Sequence, residues 1–437
     1  MWELVLWAIG GALAASALAL VPALHIYNVA GFLILLSGTL GAFIEPEPMA
    51  FLFLGMITGY AMLNTLPSIF LSAPDDSTVF IVLPGQKYLL QQRGYEAVVL
   101  TGIGGLGGLL FLLLIVPVAS TILPAIREIL RPHTAWILWT IIAYMLMSEW
   151  PKGTGRQAAG WARWWDGWKS LTAGLVTFVL SGILGFVMMY RAVVPVEVAY
   201  QNLLPVFVGL FAVPWVIQNL MARIELPPQH IARTVDAPFL TIFQGTAAGV
   251  MGGLFAAFFP VVTGGIGGFL AGHATAQRDE RAFVISQGAS KIVYYVGGFL
   301  LYFVPGLHLT RGGMAWMVST LYSAHTPDRY YWATAAVIAA GVVAFLLSLG
   351  FTRLLIKITA RVSYRTISFF TLGILLLVVF GMTGTSGLAV CAVATGIGLI
   401  PVLWGSRRMN AMGVLLLPIA LNMAGAGATV AGWLGLL

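Results

Sequence analysis

The sequence predicts an all-α polytopic membrane protein, and two features of its composition support this fold class. Hydrophobic residues make up 59% of the 437 residues and charged residues only 8%, whereas soluble domains carry about 25% charged residues. Several apolar runs exceed the ~18 residues that indicate a membrane-spanning helix, while strands of a membrane barrel alternate over about ten residues. The composition excludes a soluble globular enzyme, and the single cysteine, Cys391, excludes an internal disulfide.

Apolar segments occur as a group of seven, a polar break and a second group of seven. They span residues 4–21, 29–44, 49–71, 97–123, 134–149, 171–190 and 198–221, then 239–259, 266–276, 282–304, 331–352, 366–384, 387–404 and 412–436. A short semi-apolar stretch lies in each half, near 77–84 and 314–323. This pattern predicts two transmembrane domains, 1–222 and 223–437.

The two halves resemble each other at an offset close to 236 residues, which predicts an internal repeat. Pro22 matches Pro260, Leu66-Pro67 matches Val304-Pro305, and Arg93, Tyr95 and Ala97 match Arg329, Tyr331 and Ala333. Because seven is odd, the second copy enters the membrane from the opposite face. We therefore expect an inverted-topology repeat, the architecture of many secondary transporters.

Each half begins with a pair of segments that bends at a proline, in 4–44 and in 239–276. The second arms, 29–44 and 266–276, are short for a bilayer that needs ~20 helical residues. We interpret each pair as a helical hairpin of broken helices. Whether the hairpins re-enter from one face or cross fully is open at this point.

Charge sets the predicted orientation, because Lys and Arg accumulate on the cytoplasmic side. Following the crossings places sixteen Lys and Arg residues on one side and five on the other. We expect a multi-pass plasma-membrane protein with both termini extracytoplasmic. The first residues, MWELVLW, include no basic residue, so a cleaved signal peptide is not expected.

Lys291 is the one basic residue that falls inside an apolar segment, about ten residues into 282–304. A buried ammonium in a membrane is costly unless it is paired or solvated, so it indicates a functional site. The functional interpretation is a countercharge for an anionic substrate. The structural alternative is snorkelling towards a polar cavity or pairing with a carbonyl group.

The hairpin elbows are the second candidate site, because helix starts expose unpaired N–H groups and a positive dipole end. The candidate substrate-binding residues there are Pro22, His25, Asn28, Pro260, Thr263, Gly264, Gly265 and Gly267. The alternative for the glycines is close helix packing. No metal site is expected, because no second His, Cys or carboxylate lies at ligand spacing from His25.

The third candidate lies in residues 72–97, which are too polar to span a membrane and too apolar for an ordinary loop. Asp75 and Asp76, with Ser77, are predicted to bind a coupling ion, Na⁺ or H⁺, or to act in gating; capping of the helix that follows is an equal alternative. No other cofactor is expected. No catalytic motif or phosphate-binding loop is present, and no basic stripe indicates nucleic acid, so we predict a non-enzymatic protein.

Residues 72–108 resemble the large permease subunit of tripartite tricarboxylate transporters, the TctA family. The resemblance rests on Ser72-Ala73-Pro74, Pro84-Gly85-Gln86-Lys87, Arg93-Gly94-Tyr95-Glu96-Ala97 and the glycines at 102, 104, 105, 107 and 108. It implies a carboxylate carrier driven by a cation gradient, and it implies two partners, a small membrane subunit and an extracytoplasmic binding protein. A homodimer is also left open.

Both elbows depart from the Pro-Gly-Leu-Gly pattern usual in that family. They read Pro22-Ala23-Leu24-His25 and Pro260-Val261-Val262-Thr263, which indicates a different anion more than it argues against transport. The second elbow, FPVVTGG, is also similar to a short stretch of a family linked to polyprenyl-phosphate recycling. The alternative function is therefore a flippase or transporter of a phosphate-headed lipid carrier.

Overall fold

The computed structural model describes residues 2–22, 24–39, 44–75, 77–151, 160–194, 202–222, 226–277, 279–324 and 326–437. The secondary structure of these residues is helical throughout. Seven of the described helices are long and apolar enough to cross a membrane, or eight if the bent pair Arg408–Met423 and Gly427–Trp433 forms one span. The predicted class, an all-α polytopic membrane protein, is confirmed.

The helices follow the apolar segments in order. Those of the first half are α1 (Trp2–Leu18), α2 (Ile26–Thr39), α3 (Pro46–Leu63), α4 (Thr65–Phe70), α5 (Val82–Leu90), α6 (Gly94–Leu130), α7 (Thr134–Met147), α8 (Gly160–Tyr190), α9 (Leu203–Phe207) and α10 (Val213–Met221). Those of the second half are α11 (Phe239–Phe258), α12 (Gly264–Ala274), α13 (Glu280–Ile292), α14 (Gly298–Leu300), α15 (Gly313–Ser319), α16 (Pro327–Thr359), α17 (Tyr364–Trp404), α18 (Gly413–Met423) and α19 (Gly427–Trp433).

Two predicted boundaries can be compared with the structure. The span α17 consists of two helices that meet at a break where Gly384 adopts φ 68° and ψ −162°, so the segments 366–384 and 387–404 stay separate. The segment 282–304 continues from α13 through a π-helical turn, Val293–Gly297, before α14. Such π turns are rare and occur often at functional sites.

The chain folds into two compact units, and each unit takes residues from both halves of the sequence. The first unit contains Met1–Glu128 and Asn219–Thr371, and the second contains Ile129–Gln218 and Leu372–Leu437. The predicted domains 1–222 and 223–437 are proposed as repeats, which these compact units do not test. The repeat assignment stays a prediction.

The first unit is built on α1, α3 and α16, which pack on one another, and on the polar-faced helix α13, which packs against α11 and α12. Small residues let α1 and α3 approach closely, because a Cβ on Gly55 would lie 1.7 Å from the Ala8 carbonyl oxygen. Lys291 of α13 is inside this unit and only 3% exposed. The unit therefore holds the predicted site residues that the structure describes.

The second unit packs α8 against α18, with α7 beside α18. Its buried acid is Glu149, which is 7% exposed and lies just after α7. Its Oε1 accepts hydrogen bonds from the Arg407 backbone N–H at 2.5 Å and from Asn410 Nδ2 at 3.1 Å. Glu149 therefore caps the short 3₁₀ helix Arg408–Met412, which is a structural role.

Candidate functional site

The second elbow is a sharp turn between α11 and α12. Val261 at the turn has φ 57°, a left-handed conformation that a β-branched residue rarely adopts. Thr263 caps α12, accepting the Ile266 N–H at 3.5 Å. The N–H groups of Gly264 and Gly265 are the first of α12 and have no acceptor inside the helix by position. The elbow therefore presents backbone donors and a positive dipole end.

Arg311 holds this elbow from outside the hairpin. Its guanidinium donates hydrogen bonds to four backbone carbonyl groups around the turn, over 2.6–3.1 Å. The acceptors are the carbonyl oxygens of Ala256, Ala257, Phe259 and Val262. Because these carbonyls carry the negative end of α11, a guanidinium with five donors in a fixed fork suits them well.

Lys291 lies directly beside the start of α12. A Cβ placed on Gly264 would lie 3.3 Å from the Lys291 Cα, and Ser290 Oγ donates to the Gly264 carbonyl at 2.7 Å. The Lys291 Nζ donates to Asn64 Oδ1 at 2.7 Å and to Thr65 Oγ1 at 2.5 Å. Both acceptors stand at the break between α3 and α4. The buried ammonium is thus solvated by neutral groups.

Asp75 is joined to Lys291 through the Asn64 amide, whose Nδ2 donates to Asp75 Oδ2 at 2.7 Å. Tyr60 donates its hydroxyl to the same oxygen at 2.7 Å. The Oδ1 atom accepts the backbone N–H and the hydroxyl of Ser77 and of Thr78, over 2.7–3.0 Å. The carboxylate therefore caps the turn that follows it and reaches Lys291 through one neutral bridge.

His25 brings the first elbow to the same region. Its Nε2 lies 3.2 Å from the Tyr295 hydroxyl, and its Nδ1 accepts the Tyr27 N–H at 3.2 Å. The ring centroid lies 4.9 Å from that of Tyr60, the residue that donates to Asp75. Both elbows thus contact the segment from Lys291 to Tyr295. A chain of hydrogen bonds runs from Tyr60 through Asp75 and Asn64 to Lys291, and the His25 ring packs against Tyr60 at its end.

The other predicted residues fall into four groups. Gly267 serves helix packing, because its Cβ position lies 2.1 Å from the Gly252 carbonyl oxygen of α11. Asn28 is buried in the first turn of α2, where its backbone N–H donates to the His25 carbonyl at 2.9 Å. Pro22 and Pro260 form the elbows themselves. Asp76 lies outside the described residues.

Sequence reasoning missed four residues that build this site: Tyr60, Asn64, Tyr295 and Arg311. A polar amide inside the otherwise apolar segment 49–71 was the available signal for Asn64. Arg311 carried no comparable signal, since it lies in a polar linker where a charge is ordinary. Within the described residues, no group of three or more His, Cys, Asp and Glu side chains is arranged to hold a metal ion.

Comparison with known proteins shows which family the sequence matches. Residues 5–413 match the model of the "Tripartite tricarboxylate transporter TctA family", so the resemblance inferred from residues 72–108 is confirmed. The chain is also 26% identical over 425 residues to the uncharacterized protein MJ1079 of Methanocaldococcus jannaschii, covering 95% of this chain and 98% of that relative. No solved structure matches the chain.

Proposed function

The chain belongs to the tripartite tricarboxylate transporter TctA family, and on this premise we propose that it carries a small carboxylate anion through the first unit by cation-driven secondary transport. The family is one of membrane permeases and not of enzymes. The observation that carries the proposal is Lys291, a buried cation that neutral groups hold beside the first residues of α12.

The proposed anion site combines Lys291 with the beginning of α12. Among the described residues no carboxylate lies within 4.0 Å of the Lys291 Nζ, so the ammonium lacks a contact ion pair. An anion placed between Nζ and the N–H groups of Gly264 and Gly265 would supply that pair. It would also accept the unpaired N–H groups and face the positive end of the helix. Thr263 would frame the site from the capping position.

Coupling to a cation follows from charge balance in a medium of low dielectric. In the structure the charges of Asp75 and Lys291 offset each other through Asn64. When a substrate carboxylate takes Lys291 as its partner, Asp75 is left as an uncompensated buried charge, which costs several kcal/mol. We propose that H⁺ or Na⁺ then joins Asp75, so that anion and cation move together. Ser77 and Tyr60 hydroxyl groups can turn from donating to accepting around such a cation.

Two structural observations support the proposed inverted repeat. Ser72 (φ 52°) and His308 (φ 40°) share an uncommon left-handed backbone and stand 236 residues apart. The ion pairs at helix starts are also exchanged between the halves. Glu96 of α6 pairs with Arg281 of α13 at 3.4 Å, and Arg329 of α16 pairs with Glu47 of α3 at 2.5 Å. Such reciprocal contacts suit two copies that rock against each other during alternating access.

Orientation and partners are part of the same proposal. We place the side richer in Lys and Arg in the cytoplasm, with both termini extracytoplasmic, because positive loops stay inside. We also propose the assembly that the family description names, a tripartite system, with a small membrane subunit and an extracytoplasmic binding protein beside this permease.

The experiment that tests the function is uptake of labelled di- and tricarboxylates into proteoliposomes that hold the purified chain together with the proposed small membrane subunit and binding protein. Lys291→Ala should reduce the rate at low substrate concentration by at least about 100-fold, since a charge-assisted contact contributes several kcal/mol in a dry site. The control is Lys357→Ala, which removes the same charge from an exposed position on α16. Normal uptake by Lys291→Ala would remove this residue from the site.

A further inference from the structure

The helix α13 presents an unusual buried polar face. Four neighbouring polar side chains of this helix are at most 6% exposed: Ser286, Gln287, Ser290 and Lys291. Gln287 and Lys291 are four residues apart and share one face. Two glycines of α12 lie against these two residues in antiparallel order, Gly268 against Gln287 and Gly264 against Lys291.

Gln287 differs from its neighbours because its amide is unsatisfied. Ser286 donates to the Phe283 carbonyl, and Ser290 donates to the Gly264 carbonyl, each at 2.7 Å. The Gln287 Nε2 is buried and has no hydrogen-bond partner among the described residues. A buried donor without an acceptor destabilises a protein by about 1–3 kcal/mol, so such a group calls for a ligand.

The amide is aimed at α12, the helix whose start forms the proposed anion site. A Cβ on Gly268 would lie 2.8 Å from Gln287 Nε2, so only a glycine there leaves room for the amide. Along α13 the Cα atoms of Gln287 and Lys291 are about one turn apart, a rise of ~6 Å along the axis. A ligand that lay along this face would therefore meet an ammonium at one end and a neutral amide at the other.

We propose that Gln287 is a second substrate contact and that it selects dicarboxylates of about four carbons. This inference rests on the proposed function and names its substrate class. One carboxylate would pair with Lys291 and the start of α12, and the far carboxylate would accept from Gln287 Nε2. Three C–C bonds of about 1.5 Å each separate the carboxyl carbons of a four-carbon diacid, so its two carboxylates can reach two side chains that leave a helix one turn apart.

The charge count supports a diacid with a single tight ion pair. Lys291 is the one buried Lys or Arg side chain among the described residues. A second carboxylate therefore meets a neutral amide in place of a second cation. A molecule with three carboxylates would leave one of them without either of these two donors, and a buried charge without a donor is costly.

The test is a comparison of KM values in proteoliposomes for succinate, its monoamide succinamate and the monocarboxylate butyrate. Gln287→Ala should raise the KM for succinate about tenfold, the effect of one lost hydrogen bond to a charged group. It should change the KM for butyrate less than about twofold, because butyrate lacks the second carboxylate. Gln287→Glu, of nearly equal size, should reverse the preference so that succinamate is transported better than succinate.

The matched control is Ser286→Ala, which alters the adjacent buried residue without touching the proposed contact. Gln287→Asn keeps the amide and should retain part of the succinate preference, which guards against a loss of folding in the other variants. Equal KM values in wild type and Gln287→Ala, or a uniform loss that includes butyrate, would overturn this inference alone. Absence of uptake of every acid by the wild-type chain would overturn the proposed function and this inference with it.

Discussion

The two elbows of the first unit are built from similar sequence positions but are held in different ways. The arms of the second hairpin touch, because Gly252 of α11 and Gly267 of α12 let the two backbones meet. In the first hairpin, α1 packs along α3 and α16, while α2 contacts α3 and α15. Among the described residues, the first hairpin is therefore the more open of the two, because α1 and α2 contact other helices more than each other. Its small-residue face, which includes Ala8, is used against α3.

Among the described residues, the second elbow is also held by more side-chain hydrogen bonds than the first. Arg311 joins four carbonyl groups of the second elbow, whereas the His25 ring links the first elbow to Tyr295 by one hydrogen bond. Segments with few packed and hydrogen-bonded contacts open at lower free energy. We infer that the second elbow is the fixed wall of the anion site and the first elbow is the part that moves.

Asp75 and Arg311 are central to this difference. Each stands three residues after a residue with positive φ, Ser72 and His308, so the two charges occupy matched positions of the proposed repeat. In one copy the position carries an acid that balances Lys291, and in the other it carries a base that fixes an elbow. The two copies of the proposed repeat can thus use the same structural position for different roles. We propose ion coupling for Asp75 in one copy and support of an elbow for Arg311 in the other.

The largest effect is expected for Arg311→Ala, which would leave four carbonyl groups without their donor. We expect a loss of about 3 kcal/mol or more of stability and no measurable uptake, because each hydrogen bond to a charged donor contributes about 1.5–3 kcal/mol and several are lost together. Arg311→Lys should restore little, since one ammonium cannot span the same acceptors. Thermal unfolding in detergent and uptake measure both results. Arg361→Ala, at an exposed position, is the control. A stable, active Arg311→Ala protein would mean that the second elbow needs no clamp.

A smaller and different effect is expected for Asp75→Asn. The amide can keep several of the hydrogen bonds around position 75, but it removes the charge that balances Lys291. We expect accumulation driven by a cation gradient to fall by at least about tenfold, because the differential binding of the cation is lost. Exchange of internal for external substrate should persist within about threefold. Gradient-driven accumulation that equals that of wild type would separate Asp75 from coupling.

The sequence predicted this site unevenly, and the reason is physical. Lys291 could be found because a charge inside an apolar segment is conspicuous, and Asp75 because it lies in a stretch too polar to span a membrane and too apolar for an ordinary loop. Arg311 could not, because its acceptors lie 49–55 residues earlier in the chain and only the tertiary fold brings them together. The packing of the first hairpin could not be predicted either, since a proline between two apolar arms does not indicate which other helix each arm will contact.

The smallest effect concerns Val261, whose left-handed backbone lies at the clamped elbow. Gly has no Cβ clash in this conformation, a gain of ~1–2 kcal/mol per residue, but it loses about 0.5–1 kcal/mol through its freer unfolded chain. Val261→Gly should therefore stabilise the protein by about 0.5–1 kcal/mol. Because Arg311 already fixes the carbonyls on both sides of the turn, we expect the KM to stay within about twofold.

Ala276→Gly offers a matched comparison, because Ala276 also has positive φ (48°) but lies beyond the end of α12, away from the elbow. Both variants should raise the unfolding temperature by a similar small amount, and neither should alter transport. If Val261→Gly alone slows uptake, the strain at the second elbow takes part in the motion. In that case the second elbow cannot be the fixed wall, and the division of roles between the two hairpins would have to be reversed.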